Sequence, residues 1–147
     1  KKRNRYSECK ISIRNEVIES TSLIKLLGVY IDDRLNFDFY VNKICKSASN
    51  QLNALIRMSR CLGYDEKKTL INSFILSNFE YCPLLWMFSS AKSLNKVENI
   101  QKRALRFMLD DYNSSYDEIL IKANKPSMDL RRKRKLCIEI CKTLNNL

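Results

Sequence analysis

Two adjacent carboxylates, Asp32 and Asp33, are the residues whose types and spacing most directly suggest chemistry. They close the stretch Tyr30-Ile31-Asp32-Asp33, which ends an apolar segment typical of a β-strand. Carboxylates from neighbouring strands can hold two Mg²⁺ ions about 3.5–4 Å apart and so stabilise the oxygens of a phosphoryl transfer. The stretch therefore raises the hypothesis of a two-metal centre.

The surrounding sequence argues against that hypothesis. A two-metal centre needs another carboxylate from an earlier strand, and none of the residues before Tyr30 is Asp. A catalytic pair of this kind lies at the tip of a hairpin with an apolar strand after it, whereas "RLNFDFYVNKI" predicts the start of a helix. We predict ordinary loop residues here, with Asp33 or Asn36 as a helix cap, no catalytic residue and no bound metal.

Composition limits the class of protein and its partners. The 147 residues suit one domain, or one small domain with an appendage, and 45% apolar residues are enough for a core. Lys and Arg number 27 against 16 Asp and Glu, a net charge of +11, which predicts a polyanionic partner: nucleic acid or, failing that, an anionic membrane surface. Two Gly and two Pro disfavour an all-β fold.

The six cysteines and the absence of histidine narrow the chemistry further. No Cys-x-x-Cys pair occurs, which excludes most zinc sites, and no mechanism can use a His base. We expect the cysteines to be small buried side chains in a reducing compartment. No secretory signal is visible, and the richest apolar stretch is too short and polar to span a bilayer. An intracellular location, nuclear or cytoplasmic, with no membrane partner is expected, and the missing initial Met suggests a fragment or processed piece.

Hydrophobic periodicity divides the chain into a β element over residues 1–33 and a helical bundle over 34–147. We predict a hairpin turning at Arg14-Asn15-Glu16, then one strand, "SLIKLLGVYID", covered on both faces, with Gly28 where another backbone passes closely. Helices are predicted over 37–60, from a cap at Asp65 to an interruption at Pro83, and over 93–109. Two more begin at the caps Ser115 and Ser127, the last carrying apolar residues along its length, namely Met128, Leu136, Ile140, Cys141 and Leu144.

Basic residues form three candidate surfaces for phosphates. On the third predicted helix the apolar residues Leu94, Val97, Ala104, Leu105 and Met108 fall opposite Lys92, Lys96, Lys102, Arg103 and Arg106. The first helix has a looser stripe of Lys43, Lys46, Arg57 and Arg60. The run Arg131–Lys135 could be a phosphate clamp, a nuclear import signal or an exposed helix start. Either stripe could equally be a solvated helix face.

Several motifs in a fixed order resemble a known family. The chain contains "LGVYID", "YCPLLW" and "KRALR", followed by "SSYDEIL" and "IEICKTLNNL". From about residue 10 onward this order is similar to the C-terminal region of reverse transcriptases from non-LTR retrotransposons of the jockey/CR1-like kind. The resemblance implies an α-rich α+β fold in which a small N-terminal β-hairpin or strand element packs on a thumb-like bundle of four to five helices.

The same resemblance implies a role in holding nucleic acid. The catalytic pair of the family is a Phe-Ala-Asp-Asp motif upstream of the matched region, so Mg²⁺ is expected in the catalytic palm of the parent enzyme and no cofactor in this chain. Gly28 and Tyr30 would belong to a primer-grip-like strand, and Asp32 would be structural. The expected nucleic-acid-binding residues are Gly28, Tyr30, Lys96, Lys102, Arg103, Arg106, Arg131, Arg132, Lys133 and Arg134.

By the resemblance, the partners would be an RNA template, a DNA primer and the rest of the parent polyprotein, including the palm and an endonuclease. No small-molecule substrate is expected. The chain departs from the family at Tyr40 and Ser89, where His is frequent, and at Ser127-Met128-Asp129, where the family has Ser-Ile-His. These departures suggest a diverged copy. The alternatives are a free-standing basic nucleic-acid-binding module derived from such an element, and a protein-interaction bundle.

Overall fold

The structure, a computed structural model, describes residues 11–14 and 16–145, and for Phe88 only the backbone. Short strands come first and helices follow, so the predicted α-rich α+β fold is confirmed. The predicted domain boundary at residue 33 falls between the end of the last described strand at Asp32 and the start of the first described helix at Asp38. Whether the two parts are separate domains stays a prediction.

The elements have the following bounds. The strands are β1 (Ile11–Ile13), β2 (Glu16–Ile18), β3 (Leu23–Leu26) and β4 (Val29–Asp32). The α-helices are α1 (Asp38–Arg57), α2 (Tyr64–Leu70), α3 (Ala91–Leu109), α4 (Tyr116–Lys122) and α5 (Met128–Leu144). Single 3₁₀ or π turns cover Ser59–Cys61, Ile71–Ile75, Leu76–Phe79 and Leu85–Phe88.

The strands form two antiparallel hairpins, β1–β2 and β3–β4. The first hairpin was predicted, although Asn15 of its turn lies outside the described residues, and every described residue in its two strands is exposed. The single strand predicted for "SLIKLLGVYID" is wrong, because Leu26 pairs with Val29 across a two-residue loop. Leu27 (φ 46°) and Gly28 (φ 87°) both have positive φ, as a type I′ hairpin turn requires. Gly28 therefore serves a turn rather than a close approach of two backbones.

The core lies between α1, α3 and the turns that connect α2 to α3. Val41, Ala48 and Leu52 of α1 face Val97, Ala104 and Leu105 of α3, and all six side chains are fully buried. The predicted apolar face of the third helix is thus confirmed. Among the β residues, Val29 is buried in this core and Tyr30 and Ile31 pack against it, so β4 attaches the second hairpin to α1.

The residues at the helix N-termini test the caps that were predicted from the sequence. The capping box at Ser115 is present, with Glu118 returning a bond to the Ser115 backbone, and Ser127 caps α5 as predicted. The prediction of Asp65 as a cap is wrong, because Gly63 precedes α2 and Asp65 lies in its first turn. The cap predicted at Asp33 is wrong, and Phe37 occupies the cap position of α1, but the Oδ1 of Asn36 accepts a hydrogen bond from the backbone N–H of Asp38, the first residue of that helix, at 3.0 Å.

Two further predictions need correction. The helical backbone after Asp65 reaches Phe79 and stops before Pro83. Its last part is one π turn followed by one 3₁₀ turn. The C-terminal half of α5 is largely exposed, with Ile140 and Leu144 on the surface, so the apolar residues predicted along the whole helix do not all face the core. Cys45 is buried as expected, but Cys61, Cys137 and Cys141 are exposed, and Cys9 lies outside the described residues.

None of the described helices combines the length and the apolar character that crossing a membrane demands.

Candidate nucleic-acid interface

Asp32, the first carboxylate of the suspected pair, accepts hydrogen bonds from backbone N–H groups of the turn that follows it. Its Oδ1 accepts hydrogen bonds from the backbone N–H of Arg34 (3.0 Å) and Asn36 (3.3 Å), and its Oδ2 from that of Phe37 (2.9 Å). Asp33 is exposed, and its backbone N–H donates to the carbonyl of Ser22. Across the described residues, no three His, Cys, Asp or Glu side chains cluster as metal ligands would. Asp32 therefore holds the turn that leads into α1.

Tyr30 lies beside α1, where Lys43 contacts it. The Lys43 Nζ donates to the Tyr30 hydroxyl and lies 3.9 Å from the centroid of its ring. This hydrogen bond is the main cause that lowers the pKa of Tyr30 from its ordinary value. Lys25 approaches the same ring at 5.9 Å. Gly28 and Tyr30 share one shallow hollow with Lys25 and Lys43, so these two residues, for which a primer-grip role was predicted, lie next to two cations.

The basic stripe predicted on the third helix separates into two groups. Lys96 and Arg103 reach toward α1, where the Lys96 Nζ donates to the Asn42 Oδ1 and the Arg103 Nη2 donates to the Asn53 Oδ1 at 2.9 Å. Lys102 and Arg106 turn to the other side, toward α4. The tertiary neighbours of α3 therefore break a stripe that looked continuous on a helical wheel.

The first group lines a groove between α1 and α3, called here the α1–α3 groove. It has a volume of about 360 Å³ and is lined by Asn42, Cys45, Lys46, Ser49, Lys96, Asn99, Ile100 and Arg103. Lys46 comes from the looser stripe on the first helix, so the structure joins two stripes that the sequence presented separately. The lining contains three cations and no carboxylate.

Cys45 is the one thiol that lines the α1–α3 groove. Burial raises the pKa of the Cys45 thiol to about 11. A thiol with a raised pKa is mostly protonated near neutral pH and is a poor nucleophile. The groove therefore offers charge and hydrogen-bond donors but no activated nucleophile.

Lys102 and Arg106, the second group, support α4 and the loop before it. Arg106 is half-buried, and its Nη2 donates to the carbonyl of Ser114 at 2.9 Å. The Nζ of Lys102 lies 6.0 Å from the centroid of the Tyr116 ring. Arg106 is thus committed to the protein's own backbone, and its predicted contact with phosphate would require breaking that bond.

The basic run at the start of α5 carries its own counterions. Asp129, in the first turn, forms ion pairs with Arg132 at 2.7 Å and with Lys133 at 2.6 Å. Arg131 pairs with Glu80. Cations near a helix N-terminus are disfavoured by the macrodipole, and Asp129 offsets that cost from within the helix. A phosphate is therefore not required to stabilise Arg131, Arg132 and Lys133, although their binding of nucleic acid stays a prediction.

The predicted site residues do not form one surface. The α1–α3 groove and the hollow beside Tyr30, which Lys43 lines, share no lining residue. The run on α5 lies beside Glu80 and Pro83, in a third place. Sequence reasoning missed the amides Asn42, Asn53 and Asn99. An uncharged polar residue on a helix cannot be recognised as part of a binding groove until the helix packed beside it is known.

No model of a known protein family matches the chain, and neither a curated protein nor a solved structure matches it.

Proposed function

We propose that the chain binds the sugar–phosphate backbone of a nucleic-acid duplex through the α1–α3 groove. One observation carries the proposal: Lys46, Lys96 and Arg103 converge on a groove whose lining contains no carboxylate. None of these three side chains takes part in an ion pair of the described residues. Uncompensated cations on one surface favour a ligand with regularly spaced negative charge.

The polar neighbours of the three cations favour phosphate over an isolated small anion. Asn42 and Asn53 already hold Lys96 and Arg103 at the groove, which reduces the entropy lost when a phosphate binds. The amide of Asn99 and the hydroxyl of Ser49 add uncharged donors along the same lining. Protein contacts to a duplex backbone combine Lys and Arg with such Ser and Asn donors.

The resemblance of the sequence to non-LTR reverse transcriptases supports a specific duplex. In this proposal the chain is the palm-end and thumb-like part of an RNA-directed DNA polymerase, and it positions the RNA template with its DNA primer. Its own residues perform no chemistry, and the carboxylates and Mg²⁺ belong to a catalytic palm elsewhere in the parent protein. A free-standing module derived from such an element would use the same groove.

The binding test uses a labelled DNA–RNA hybrid and fluorescence anisotropy over a range of salt concentrations. The triple variant Lys46→Gln/Lys96→Gln/Arg103→Gln should bind at least tenfold more weakly. Its log–log salt slope should be shallower by about three, because each of the three cations neutralises about one phosphate. The matched control Lys133→Gln/Arg134→Gln/Lys135→Gln removes the same charge from α5 and should retain most of the affinity.

Two results would contradict the proposal. Loss of affinity in the α5 control alone would place the phosphate contacts on the basic run of α5. A wild-type salt slope near zero would instead favour the protein-interaction bundle, because phosphate contacts require a steep negative slope.

A second experiment tests the absence of chemistry. Primer extension with the isolated chain, Mg²⁺ and nucleotides should give no product. Incorporation that disappears in the double variant Asp32→Ala/Asp33→Ala, while circular dichroism shows the variant to be folded, would show that this pair is catalytic after all.

A further inference from the structure

A second groove lies between α5 and the segment that precedes α3. Two hollows of about 400 Å³ and about 390 Å³ open along it, and Pro83 and Lys135 line both of them. We call the pair the α5 groove. Because the two hollows share a wall, they form one elongated surface rather than two independent cavities. An elongated surface with two depressions suits a segment of chain better than a compact small molecule.

The floor of the α5 groove is mostly apolar. The first hollow is lined by Pro83, Pro126, Met128 and Ile138, and the second by Leu84 and Leu85. Ile138 is 48% exposed, so its side chain lies largely uncovered. Covering such side chains stabilises a complex by about 25 cal/mol for each Å² of apolar surface removed from water.

The rim of the α5 groove is cationic. Glu80 pairs with Arg131 and Asp129 with Arg132, whereas Arg134 and Lys135 are exposed and have no ion-pair partner among the described residues. Glu139, at the far hollow, is already paired with Lys142 at 3.1 Å. The charges that remain uncompensated on this surface are therefore positive.

Two buried donors beside the first hollow also lack an acceptor. The indole Nε1 of Trp86 and the Nε of Arg132 have no hydrogen-bond partner among the described residues, and the exposed fractions of the two residues are 1% and 8%. Unpaired buried donors are unfavourable, but both atoms are enclosed by the protein, so a ligand on the surface does not reach them in this arrangement. A ligand that combines apolar groups with carboxylates would match the apolar floor and the cationic rim.

We propose that the α5 groove binds an acidic peptide segment of another protein that carries two aliphatic side chains. The two aliphatic side chains occupy the two hollows, and flanking Asp or Glu residues pair with Arg134 and Lys135. This inference is independent of duplex binding by the α1–α3 groove, because the two surfaces share no lining residue.

The structure favours a peptide over single-stranded nucleic acid at this surface. Sequence-tolerant binding of single strands relies on aromatic faces on which bases stack. Here Phe79 is 3% exposed and Trp86 is 1% exposed, and the guanidinium of Arg132 lies 5.2 Å from the centroid of the Trp86 ring. Neither ring offers a free face to a base.

The experiment selects binding peptides from a displayed library of random 14-residue segments with the full chain as target. Selected peptides should be enriched in Asp and Glu around two Leu, Ile, Val or Met residues. By fluorescence anisotropy they should bind the variant Arg134→Glu/Lys135→Glu at least tenfold more weakly, and the variant Ile138→Asn at least threefold more weakly. The matched control Lys46→Glu/Lys96→Glu, with equal charge reversal in the other groove, should bind them as tightly as the wild type.

Each contrary outcome overturns the inference in a recognisable way. Failure to enrich any peptide, or enrichment of peptides that bind the Arg134→Glu/Lys135→Glu variant equally well, removes the α5 groove as a peptide site. Circular dichroism is used to check that the Arg134→Glu/Lys135→Glu variant is folded. If instead that variant loses affinity for a labelled 12-nucleotide oligothymidine while no peptide is selected, the groove binds nucleic acid. Binding of the DNA–RNA hybrid by the α1–α3 groove is measured separately, and the peptide result neither supports nor contradicts it.

Discussion

At the residue scale, the two carboxylates of the Tyr-x-Asp-Asp stretch differ in what they contact. Asp32 accepts three backbone hydrogen bonds from the turn before α1, and Asp33 contributes no side-chain bond among the described residues. The sequence argument against a metal centre correctly looked for loop chemistry. It chose Asp33 or Asn36 as the cap, and Asn36 does accept the backbone N–H of Asp38, whereas the contribution of Asp32 was missed because it acts from further away.

Removal of the Asp32 carboxylate should destabilise the fold. Asp32→Ala leaves three backbone N–H groups without their acceptor, and we expect a loss of about 1–3 kcal/mol in the free energy of unfolding. The matched change Asp33→Ala should stay within about 0.5 kcal/mol. Urea denaturation of the two variants checks both values, and equal losses would contradict the assigned role of Asp32.

Leu27 occupies an unfavourable backbone conformation for its side chain. It is 83% exposed and has φ 46° at the first central position of the β3–β4 turn, where Asn is preferred before Gly. Since a left-handed conformation costs a typical L-residue about 1–2 kcal/mol, Leu27→Asn should stabilise the chain by about 1 kcal/mol. The same change at Leu26, one residue earlier and within β3, should not stabilise it. Thermal unfolding distinguishes the two variants.

At the element scale, three helix starts follow their local signals, whereas the basic face of α3 does not act as the single stripe that its sequence predicts. Ser90, Ser115 and Ser127 each cap a helix through the side-chain oxygen, as short-range rules predict. The basic face of α3, by contrast, is shared between α1 and α4. A cap depends on residues three positions apart, whereas the use of a helix face depends on which elements pack beside it.

The capping box of α4 gives a prediction at this scale. Ser115→Ala removes the acceptor for the Glu118 backbone N–H and should cost about 1 kcal/mol, a large effect for a helix of only seven residues. Ser47→Ala, an exposed change inside α1, should be neutral or slightly stabilising, because Ala has the higher helix propensity. Chemical denaturation with both variants tests this; a neutral Ser115→Ala would mean that α4 is held by packing alone.

At the scale of the whole molecule, charge is distributed unevenly. Three carboxylates have pKa values below the ordinary range: Asp38 through hydrogen bonds from Ser93 and Ser90, Asp111 through Lys122 and Ser114, and Asp129 through Lys133. Asp111 and Asp129 are engaged by cations outside the α1–α3 groove, whereas Lys96 of that groove contributes to the lowered pKa of Asp38. The lining of the α1–α3 groove itself contains no carboxylate, so part of the net charge of +11 lies on this surface.

This arrangement predicts sensitivity to acid. A carboxylate whose pKa is lower in the folded than in the unfolded chain contributes stability above its unfolded pKa, about 3.9 for Asp, and that stability is lost as the pH falls through the folded value. The melting temperature should be steady near neutral pH and fall steeply below about pH 4. Asp111→Asn should flatten part of this fall, and Asp33→Asn should leave it unchanged. Identical pH profiles for wild type and Asp111→Asn would contradict the assigned contacts of Asp111.

The sequence by itself determined the fold class, the succession of a β element and helices, the apolar face of α3 and the caps at Ser115 and Ser127. These features depend on periodicity and on contacts between residues a few positions apart, which a linear chain specifies. Only the tertiary structure decided that the Leu26–Val29 segment turns back on itself, that Lys46 of α1 meets Lys96 and Arg103 of α3, and that Arg106 and Arg132 are engaged internally. Those outcomes depend on which distant elements pack together, and packing is a property of the whole fold.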